Sequence, residues 1–517
     1  GGSATSDQVS DSPFAADGMI ASIPAILITN NIYSGEYHDD FGYPSLMIHT
    51  DHVIGEVFPS NWYSGGNQYY DRFQFYHYQM SIGPTGYCSL FWYNYYQFIK
   101  AANDLVSVCG DNAALAEQRG IAKTFRALYY LDLARLYDPL YAVSTERPEY
   151  QAALATIEGL TVPIVDENTT EADSKNNPRL PKAEYLEKIY ESLDAAVLLL
   201  DGHAPTTDKT LPDLAVAYGL YARAKLYEGD YAKAKEYAEL ALGAGSFSPL
   251  TQEQWTSTTT GFNDADSQTS WMLCIRTSEE SSVVKTGIIN FVSFMSTEQV
   301  YGYGGPGAGA FPMVDKRFYD QIPNTDFRKL SWKAPAGHEL EGKNKFVAAT
   351  EDYPGSSALP EYAALKFRPG EGNPDDHQKG SATDFPLMRM EEMKFIIAEC
   401  DARNGDASSL VDIVSTRNPE YTCTLTGTHL IKEVLLQKRI EFWGEGIVWF
   451  DYKRCPDLLT INRGYPGTNH SEAARFNCDG LAPWFNVPIN GYEAQDNKAL
   501  SETNNPDPTN TVALWVE

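Results

Sequence analysis

The sequence lacks an excess of basic residues, paired cysteine motifs and long apolar runs, and each absence argues against a class of protein. Its 517 residues carry 40 Lys and Arg against 69 Asp and Glu, which gives a formal net charge of −29. Nucleic-acid binding needs a basic surface, and so does electrostatic attachment to anionic lipid, so we predict no nucleic-acid partner and no such attachment. No stretch is apolar enough, for long enough, to span a bilayer.

Motifs that carry chemistry are also scarce. The seven cysteines contain no C-x-x-C pair, and H-E-x-x-H, G-x-S-x-G and D-x-D-x-D-G are absent, so no zinc, hydrolase or calcium-loop signature is visible. Gly302-x-Gly304-x-x-Gly307 fits a dinucleotide pattern, but Pro306 lies inside it and no helix follows, so we predict a pliable surface loop. We therefore predict no enzyme activity, no cofactor and no catalytic metal, and leave a structural calcium ion open.

Apolar residues recur at helical spacing over much of the chain. The pattern predicts helices at residues 90–108, 112–137, 181–200, 213–229, 231–244, 386–404 and 430–443. The Gly-Asp-Tyr turn that begins at Gly229 joins two Ala-rich segments, which is typical of a tetratricopeptide hairpin. We predict a mainly α-helical fold in which about four such hairpins form a curved scaffold.

The middle of the chain departs from this pattern. Residues 270–278 and 288–296 have the composition of strands, and Gly-rich loops lie around them. We predict a single domain, 1–517, with the following parts: a helical scaffold at residues 12–245 and 384–455, an inserted loop-rich lobe with a few short strands at 246–383, and an irregular C-terminal tail at 456–517.

Aromatic residues make up 13% of the chain and are dense among Gly, Asn and Ser between residues 61 and 80. The C–H face of a sugar can lie on an aromatic ring, and Asn, Asp, Gln and Arg can exchange hydrogen bonds with its hydroxyls. Loops are generally on the surface, so these residues suit the binding of sugars. The alternative is that half or more of the rings are ordinary packing residues.

Charged and aromatic residues are densest at residues 438–455, KRIEFWGEGIVWFDYKRC. Two interpretations compete there. Glu441 and Glu445 could be the acid and base of a glycoside hydrolase. Alternatively, the carboxylates pair with nearby cations while the aromatics fill a core. Since buried charge must be paired, we favour ion pairing among these residues: Arg439, Glu441, Glu445, Asp451, Lys453 and Arg454.

This stretch closely resembles the C-terminal signature of the SusD/RagB family. Other segments are similar to the family in the same order, from about residue 11 to residue 497: a helix pair at 90–137, a short D-x-R strand at Asp326 and Arg328, a strand centred on Lys366, and a D-x-P-x-x-R helix from Asp384. The resemblance implies a structural signature formed by Arg439, Glu441, Trp443, Glu445, Gly446, Trp449, Asp451 and Arg454.

The family consists of nutrient-binding lipoproteins at the outer-membrane surface of Bacteroidetes. The resemblance therefore implies a non-catalytic protein that binds glycan and delivers it to a SusC-like TonB-dependent transporter. Members carry a lipid on a Cys that follows the signal peptide. This sequence starts without Met and lacks that Cys, so membrane attachment through an N-terminal lipid is expected from the resemblance alone.

By the same resemblance, starch-binding members use an aromatic arc drawn from the early loop and the middle lobe. Matching by region, we predict ligand contacts at Trp62, Tyr63, Asn67, Tyr69, Tyr70, Arg72, Tyr301 and Tyr303. Two alternatives stay open at this point: a peptide- or protein-binding member of the family, and a hydrolase that uses Glu441 and Glu445. The sequence names neither the glycan nor the transporter.

Overall fold

The computed structural model describes residues 13–29, 38–60, 87–140, 145 and 147–517, and helices dominate that part of the chain. The helices are α1 Pro13–Ile26, α2 Tyr43–Val53, α3 Tyr87–Cys109, α4 Ala116–Tyr137, α5 Pro148–Ala155, α6 Glu171–Ser174, α7 Lys182–Leu200, α8 Leu214–Glu228, α9 Tyr231–Gly243, α10 Gln252–Thr256, α11 Ser282–Lys285, α12 Phe291–Met295, α13 Lys316–Gln321, α14 His377–Ser381, α15 Met390–Arg403, α16 Ser408–Ser415, α17 Gly427–Phe442, α18 Val448–Arg454 and α19 Gly491–Asp496. The strands are β1 Phe58–Pro59, β2 Trp271–Arg276, β3 Pro312–Met313, β4 Asp384–Arg389, β5 Ile461–Asn462 and β6 Asn477–Cys478. The predicted mainly α-helical fold with a few short strands is confirmed.

Local side-chain chemistry sets the turn between α8 and α9. Asp213 begins α8 by accepting a hydrogen bond from the backbone N–H of Val216. Gly229 ends the helix in the left-handed conformation, with φ of 88°, which a residue without Cβ adopts at little cost. Asp230 follows at once and caps α9 by accepting from the N–H of Lys233. The chain therefore reverses within two residues and the helices pack as a hairpin.

The described residues form two compact units. The first contains those of residues 1–27, 77–246 and 481–511. Within it, α3, α4, α7, α8 and α9 pack in chain order, each helix on the next, and α1 packs on α3 and α4. Gly120 lets α4 approach α7 closely, because an added Cβ would lie 2.8 Å from the Leu200 side chain. The tetratricopeptide-like geometry of these pairs stays a prediction.

A C-terminal segment belongs to this first unit, which differs from the tail predicted at residues 456–517. Residues 481–511 dock on the helices through Arg179 and Asn505, whose side chains are 2.9 Å apart. Asn505 also donates to the backbone carbonyls of Tyr137 and Val487. These buried polar groups need partners, so their pairing holds the segment on the helical unit.

The second unit contains the described residues of 28–76, 247–480 and 512–517. It holds three two-stranded antiparallel sheets, in which β1 pairs with β3, β2 with β4 and β5 with β6. It also holds α15 to α18. Buried ion pairs tie α15 and α17 to residues between 250 and 390, as described below. The predicted division into a helical scaffold, an inserted lobe and a tail stays a prediction.

Three local predictions are corrected. Residues 288–296 were predicted as a strand, but Asn290 caps a short helix there, α12, by accepting from the N–H of Ser293. The predicted helix at 386–404 begins at Met390, because the preceding residues form β4 opposite β2. The D-x-R strand is a 3-10 helix at Phe327–Ser331, which Asp326 caps.

Candidate ligand-binding site

The carboxylate of Glu441, at the end of α17, is fully buried among three arginines. Arg417 donates to both of its oxygens at 2.9 and 3.0 Å. Arg389 reaches the same carboxylate at 3.2 Å and Arg328 at 3.3 Å. Burial alone would raise the pKa of Glu441, but Arg417, Arg389 and Arg328 together lower it well below its ordinary value. Glu441 is therefore ionised in the folded protein.

Glu445 is held in the same way. Its two oxygens accept from Arg389 at 2.8 and 2.9 Å, and Lys366 donates to one of them at 2.9 Å. Lys366 also donates to the backbone carbonyls of Glu441 and Trp443. Burial lowers the pKa of the Lys366 ammonium to about 8, against the opposing effect of Glu445. Lys366 thus links the middle of the chain to the turn after α17.

These residues form one buried ionic cluster with balanced charge. Its members are Arg328, Lys366, Arg389 and Arg417 with Asp326, Glu391, Glu441 and Glu445. The carboxylates are paired, as the ion-pairing interpretation requires. The partners differ from those predicted nearby in sequence, because long-range packing brings arginines from other segments to Glu441 and Glu445. A substrate has no access to this pair, with Glu441 0% and Glu445 3% exposed, so the hydrolase hypothesis is wrong for these residues.

Asp451 and Glu399 form a second buried group around Arg454. Arg454 contacts Asp451 at 2.7 Å and Glu399 at 2.5 Å, and Lys438 donates to Asp451 at 3.0 Å. Here the predicted pairing of Asp451 with Arg454 is present. Burial would raise the pKa of Glu399, but Arg454 lowers it to about 2. The group joins α15, α17 and α18 through charge that is neutralised locally.

Two glycines in the signature stretch allow it to pack closely on its neighbours. Gly444 and Gly446 have φ of 82° and 84°, a region that residues with Cβ rarely adopt. An added Cβ at Gly446 would lie 2.7 Å from the Cα of Met47 in α2. The N–H of Gly446 donates to the carboxylate of Asp51 at 2.9 Å. The signature stretch therefore organises the second unit, and its carboxylates Glu441 and Glu445 offer no surface to a ligand.

The Gly-rich loop that contains Tyr301 and Tyr303 is closely packed rather than pliable. An added Cβ at Gly304 would lie 2.8 Å from the carbonyl oxygen of Phe294, and one at Gly305 would overlap the carbonyl oxygen of Gln299. The backbone N–H of Gly304 also donates to the carbonyl of Ser293 at 2.6 Å. The glycines thus serve close backbone approach, which corrects the predicted pliable surface loop.

Tyr303 lies in an aromatic stack. Its ring is 5.0 Å from that of Phe294, which in turn stacks on Phe41 at 5.9 Å, and its hydroxyl lies 2.5 Å from Nδ1 of His38. Tyr303 is 9% exposed, so most of its ring surface is taken by the protein. Tyr301 is half-buried and meets His377 edge-on, and burial raises the pKa of its hydroxyl. Of the two rings, Tyr301 is the more accessible.

The other predicted ligand contacts lie outside the described residues. They are Trp62, Tyr63, Asn67, Tyr69, Tyr70 and Arg72. The aromatic arc that would combine these residues with Tyr301 and Tyr303 stays a prediction.

A polar cleft of about 470 Å³ opens elsewhere in the second unit. Thr259, Asn263 and Asp264 contribute to its lining, together with Arg276 and Asp384. Arg276 contacts Asp384 at 3.0 Å. The charge of Arg276 is therefore already paired. No aromatic side chain is among the described lining residues. The cleft can exchange hydrogen bonds with hydroxyl groups but offers no ring on which a sugar could stack.

The described residues contain neither a cluster of metal ligands nor a membrane-spanning helix. No group of three or more His, Cys, Asp and Glu side chains there could hold a metal ion. His49, next to Asp51 and His52 in sequence, instead contacts Asp39 at 2.9 Å in the protein interior. None of the described helices has both the length and the apolar character needed to cross a membrane.

Comparison with known proteins gives a family match over part of the chain and a shared fold over most of it. Residues 316–514 match the SusD family. A SusD-like carbohydrate-binding protein from Bacteroides vulgatus shares the fold with a TM-score of 0.69 at 20% identity, over 94% of this chain and 97% of that one. A SusD superfamily protein from Bacteroides thetaiotaomicron gives 0.69 at 18% identity, over 97% of this chain and all of the other. Residues 316–514 therefore match the SusD family, and the chain shares the fold of these SusD-like structures.

Another structure with the SusD fold extends the comparison. The surface glycan-binding protein A from Bacteroides thetaiotaomicron has a TM-score of 0.63 at 17% identity, over 94% of this chain and 97% of that one. At these identities the structures establish a shared fold. No curated protein matches the sequence significantly.

Sequence reasoning missed several residues that build the interior of this chain. Arg389 and Arg417 were not recognised as partners of the signature carboxylates, and Glu391 was not recognised as a further partner of these two arginines. Glu391 accepts from Arg417 at 2.6 Å and from the backbone N–H of Leu250 at 3.0 Å. The available signal was that each signature carboxylate needs a cation once it is buried. That requirement does not show which distant arginine supplies the cation.

Proposed function

We propose that this protein binds glycan without cleaving it. The observation that carries the proposal is the match of residues 316–514 to the SusD family, together with the fold that the chain shares with a SusD-like carbohydrate-binding protein and a surface glycan-binding protein. The aromatic-rich composition supports it, since rings present flat surfaces to the C–H faces of sugars. The buried, neutralised state of Glu441 and Glu445 also supports it, because these carboxylates are not available to a substrate.

The binding surface in this proposal combines the early aromatic loop with the Tyr301 loop. Trp62, Tyr69 and Tyr70 supply rings from the first, and Tyr301 and Tyr303 from the second. The backbone of the second loop is held by close contacts at its glycines, which reduces the ordering cost on binding. Since Tyr303 is nearly buried, Tyr301 is the better candidate for stacking on a sugar. Tyr303 would contact the ligand only through the edge of its ring that carries the hydroxyl.

Native affinity electrophoresis tests this proposal. The protein is run through gels that contain starch, xylan, mannan, pectin or mucin glycans, and each glycan is assayed for released reducing ends. We expect retardation by one glycan class without release. Trp62→Ala should abolish the retardation. Tyr492→Ala is the matched control, because Tyr492 is a described tyrosine that is 57% exposed in the helical unit, outside the proposed surface.

The proposal includes delivery of the glycan to a SusC-like TonB-dependent transporter at the outer-membrane surface, with an N-terminal lipid as the anchor. It rests on the match of residues 316–514 to the SusD family. Affinity purification of the tagged, full-length precursor from detergent-solubilised outer membranes tests it. We expect a TonB-dependent transporter to co-purify in near-stoichiometric amount. Recovery of the protein alone, from a membrane fraction that contains the proteins encoded by the neighbouring genes, would contradict the delivery step.

A second candidate, peptide binding, is favoured by a cleft in the helical unit. It has a volume of about 240 Å³, and six charged residues of both signs contribute to its lining: Lys123, Arg126, Asp166, Glu167, Lys188 and Glu191. Tyr130 is the aromatic among its described lining residues, and it is buried. Such mixed charge suits a peptide better than a neutral sugar. No retardation by any glycan, with saturable binding to a charged peptide library that Lys123→Gln weakens, would make this the favoured function.

A further inference from the structure

Three arginines line a cleft of about 260 Å³ in the second unit, in a protein whose net charge is −29. They are Arg317 in α13, Arg439 in α17 and Arg463 after β5. Gln321, Thr460 and Asn462 contribute neutral polar groups to the same lining. The volume lies slightly below the range of roughly 300–1,000 Å³ typical of drug-sized ligand sites. The space suits a single small group or one sugar unit.

Hydrogen bonds within the fold use only some of the N–H donors of each guanidinium group. Arg439 and Arg463 both donate to Oε1 of Glu56, and their side chains are 14% and 5% exposed. Arg317 is exposed, lies 3.6 Å from the ring centroid of Tyr465 and donates from Nη2 to a backbone carbonyl. None of the three donates from Nη1 to any residue that the structure describes. Each therefore retains donors for a further acceptor.

Positive charge exceeds negative charge around this cleft. The lining holds three arginines and one carboxylate, that of Asp315, and Glu56 adds a second beside Arg439 and Arg463. Asp315 already accepts from His470 at 3.0 Å and from backbone N–H groups at the start of α13. Burial lowers the pKa of His470 to about 4, so His470 adds no charge at neutral pH. One cation, Arg317, is left without a carboxylate partner among the described residues.

We propose that this arginine cleft binds the anionic group of an acidic saccharide, either the carboxylate of a uronic acid or a sulfate ester. Guanidinium groups offer paired N–H donors that match the oxygens of both groups. Gln321, Asn462 and Thr460 can exchange hydrogen bonds with the hydroxyls of the same sugar unit. The inference rests on the proposed glycan binding and adds a substrate class to it.

The net negative charge of the protein does not oppose this local attraction strongly. At physiological ionic strength, exposed charges more than about 8 Å away are largely screened. The arginines that line the cleft therefore dominate the field that a bound anion experiences. Glu56 holds the guanidinium groups of Arg439 and Arg463 in position and leaves the charge of Arg317 unmatched.

Arg317 is the best residue for a test. Arg439 and Arg463 also tie α17 and the segment after β5 to Glu56, so their removal would disturb the fold. Arg317→Gln removes one exposed charge and no ion pair with a described carboxylate. Lys343→Gln is the matched control, since Lys343 is exposed, lies in the same unit and is not among the residues that line the cleft.

Isothermal titration with three probes provides the measurement: an oligogalacturonate, a sulfated galactan oligosaccharide and a neutral galactan oligosaccharide. At least one acidic probe should bind more tightly than the neutral one and more weakly at higher salt. Arg317→Gln should weaken that binding by roughly tenfold, because a charge-assisted hydrogen bond is lost. Lys343→Gln should change it less than twofold, and circular dichroism should show both variants folded.

The outcomes separate the two proposals. Binding of a neutral glycan with no preference for acidic probes would overturn the acidic-saccharide inference and leave glycan binding intact. Equal effects of Arg317→Gln and Lys343→Gln would also overturn it. Binding of inorganic sulfate alone, with no acidic oligosaccharide bound, would reduce the cleft to a simple anion site and overturn the inference. Failure of every saccharide would overturn glycan binding as well.

Discussion

Glu441→Gln is the most informative single substitution, because it removes one charge from a balanced buried cluster. Four carboxylates and four cations offset each other there. The substitution leaves one positive charge unmatched. It also replaces a carboxylate that accepts hydrogen bonds from Arg417, Arg389 and Arg328 with an amide whose NH2 group can only donate. Breaking a buried ion pair on one side costs about 3–5 kcal/mol. That is a large share of the roughly 5–15 kcal/mol of a whole domain.

Urea unfolding followed by tryptophan fluorescence measures this cost. Trp255, Trp332 and Trp443 are buried in the same unit as Glu441 and report its unfolding. With an m value of about 3 kcal/mol per molar urea, the midpoint should fall by roughly 1 M or more. Glu280→Gln serves as the control, since Glu280 is exposed in the same unit. A midpoint for Glu441→Gln equal to that of Glu280→Gln would refute the view that the cluster stabilises this unit.

Three further predictions concern glycine geometry, acid stability and a helix cap. Gly446→Ala should lower the melting temperature, because the added Cβ meets Met47 and φ of 84° disfavours alanine; an unchanged thermal transition would contradict this. For Glu399, burial raises the pKa but Arg454 lowers it to about 2, below the ordinary value of about 4.3. The stability that this pair contributes is therefore present above the ordinary value and is lost as the pH falls through about 2. Acid titration by circular dichroism should show a weaker acid dependence in Glu399→Gln, and identical curves would argue against the pair. Asp213→Ala should cost about 1 kcal/mol through loss of the cap on α8, measured by chemical denaturation, and a loss below about 0.3 kcal/mol would contradict the capping role.

Helices were the most predictable part of this fold, because their signals are local. Apolar spacing and the Gly-Asp-Tyr turn placed α8 and α9 within a residue or two of the observed bounds. Short elements were less predictable. The apolar run at 288–296 has the sequence pattern of a strand. The cap at Asn290 and close packing by Gly302 and Gly304 instead favour a short helix there.

The ion pairs of the interior were less predictable, because they join residues that lie far apart in the sequence. The carboxylates of the signature stretch were expected to pair with cations nearby in sequence, and among the described residues Asp451 does so, with Arg454 and Lys438. Glu441 instead forms ion pairs with Arg328, Arg389 and Arg417. A carboxylate requires a cation when buried, but sequence spacing carries no information about which segment supplies it.

The candidate ligand site was predictable only by region. Tyr301 and Tyr303 share a loop, but their different exposure follows from the Phe294 and Phe41 stack, which no local pattern reveals. The arginine cleft likewise joins residues that lie more than a hundred positions apart. Such surfaces are products of the tertiary fold rather than of a motif.

Titration calorimetry with the oligosaccharide of the retarding glycan, followed by chromatography of the recovered ligand, tests the central claim most directly. The account predicts saturable heat, a loss of binding in Trp62→Ala and a ligand recovered at its original length. Saturable binding with shortened ligand would show catalysis, and the absence of heat with every oligosaccharide would contradict glycan binding itself.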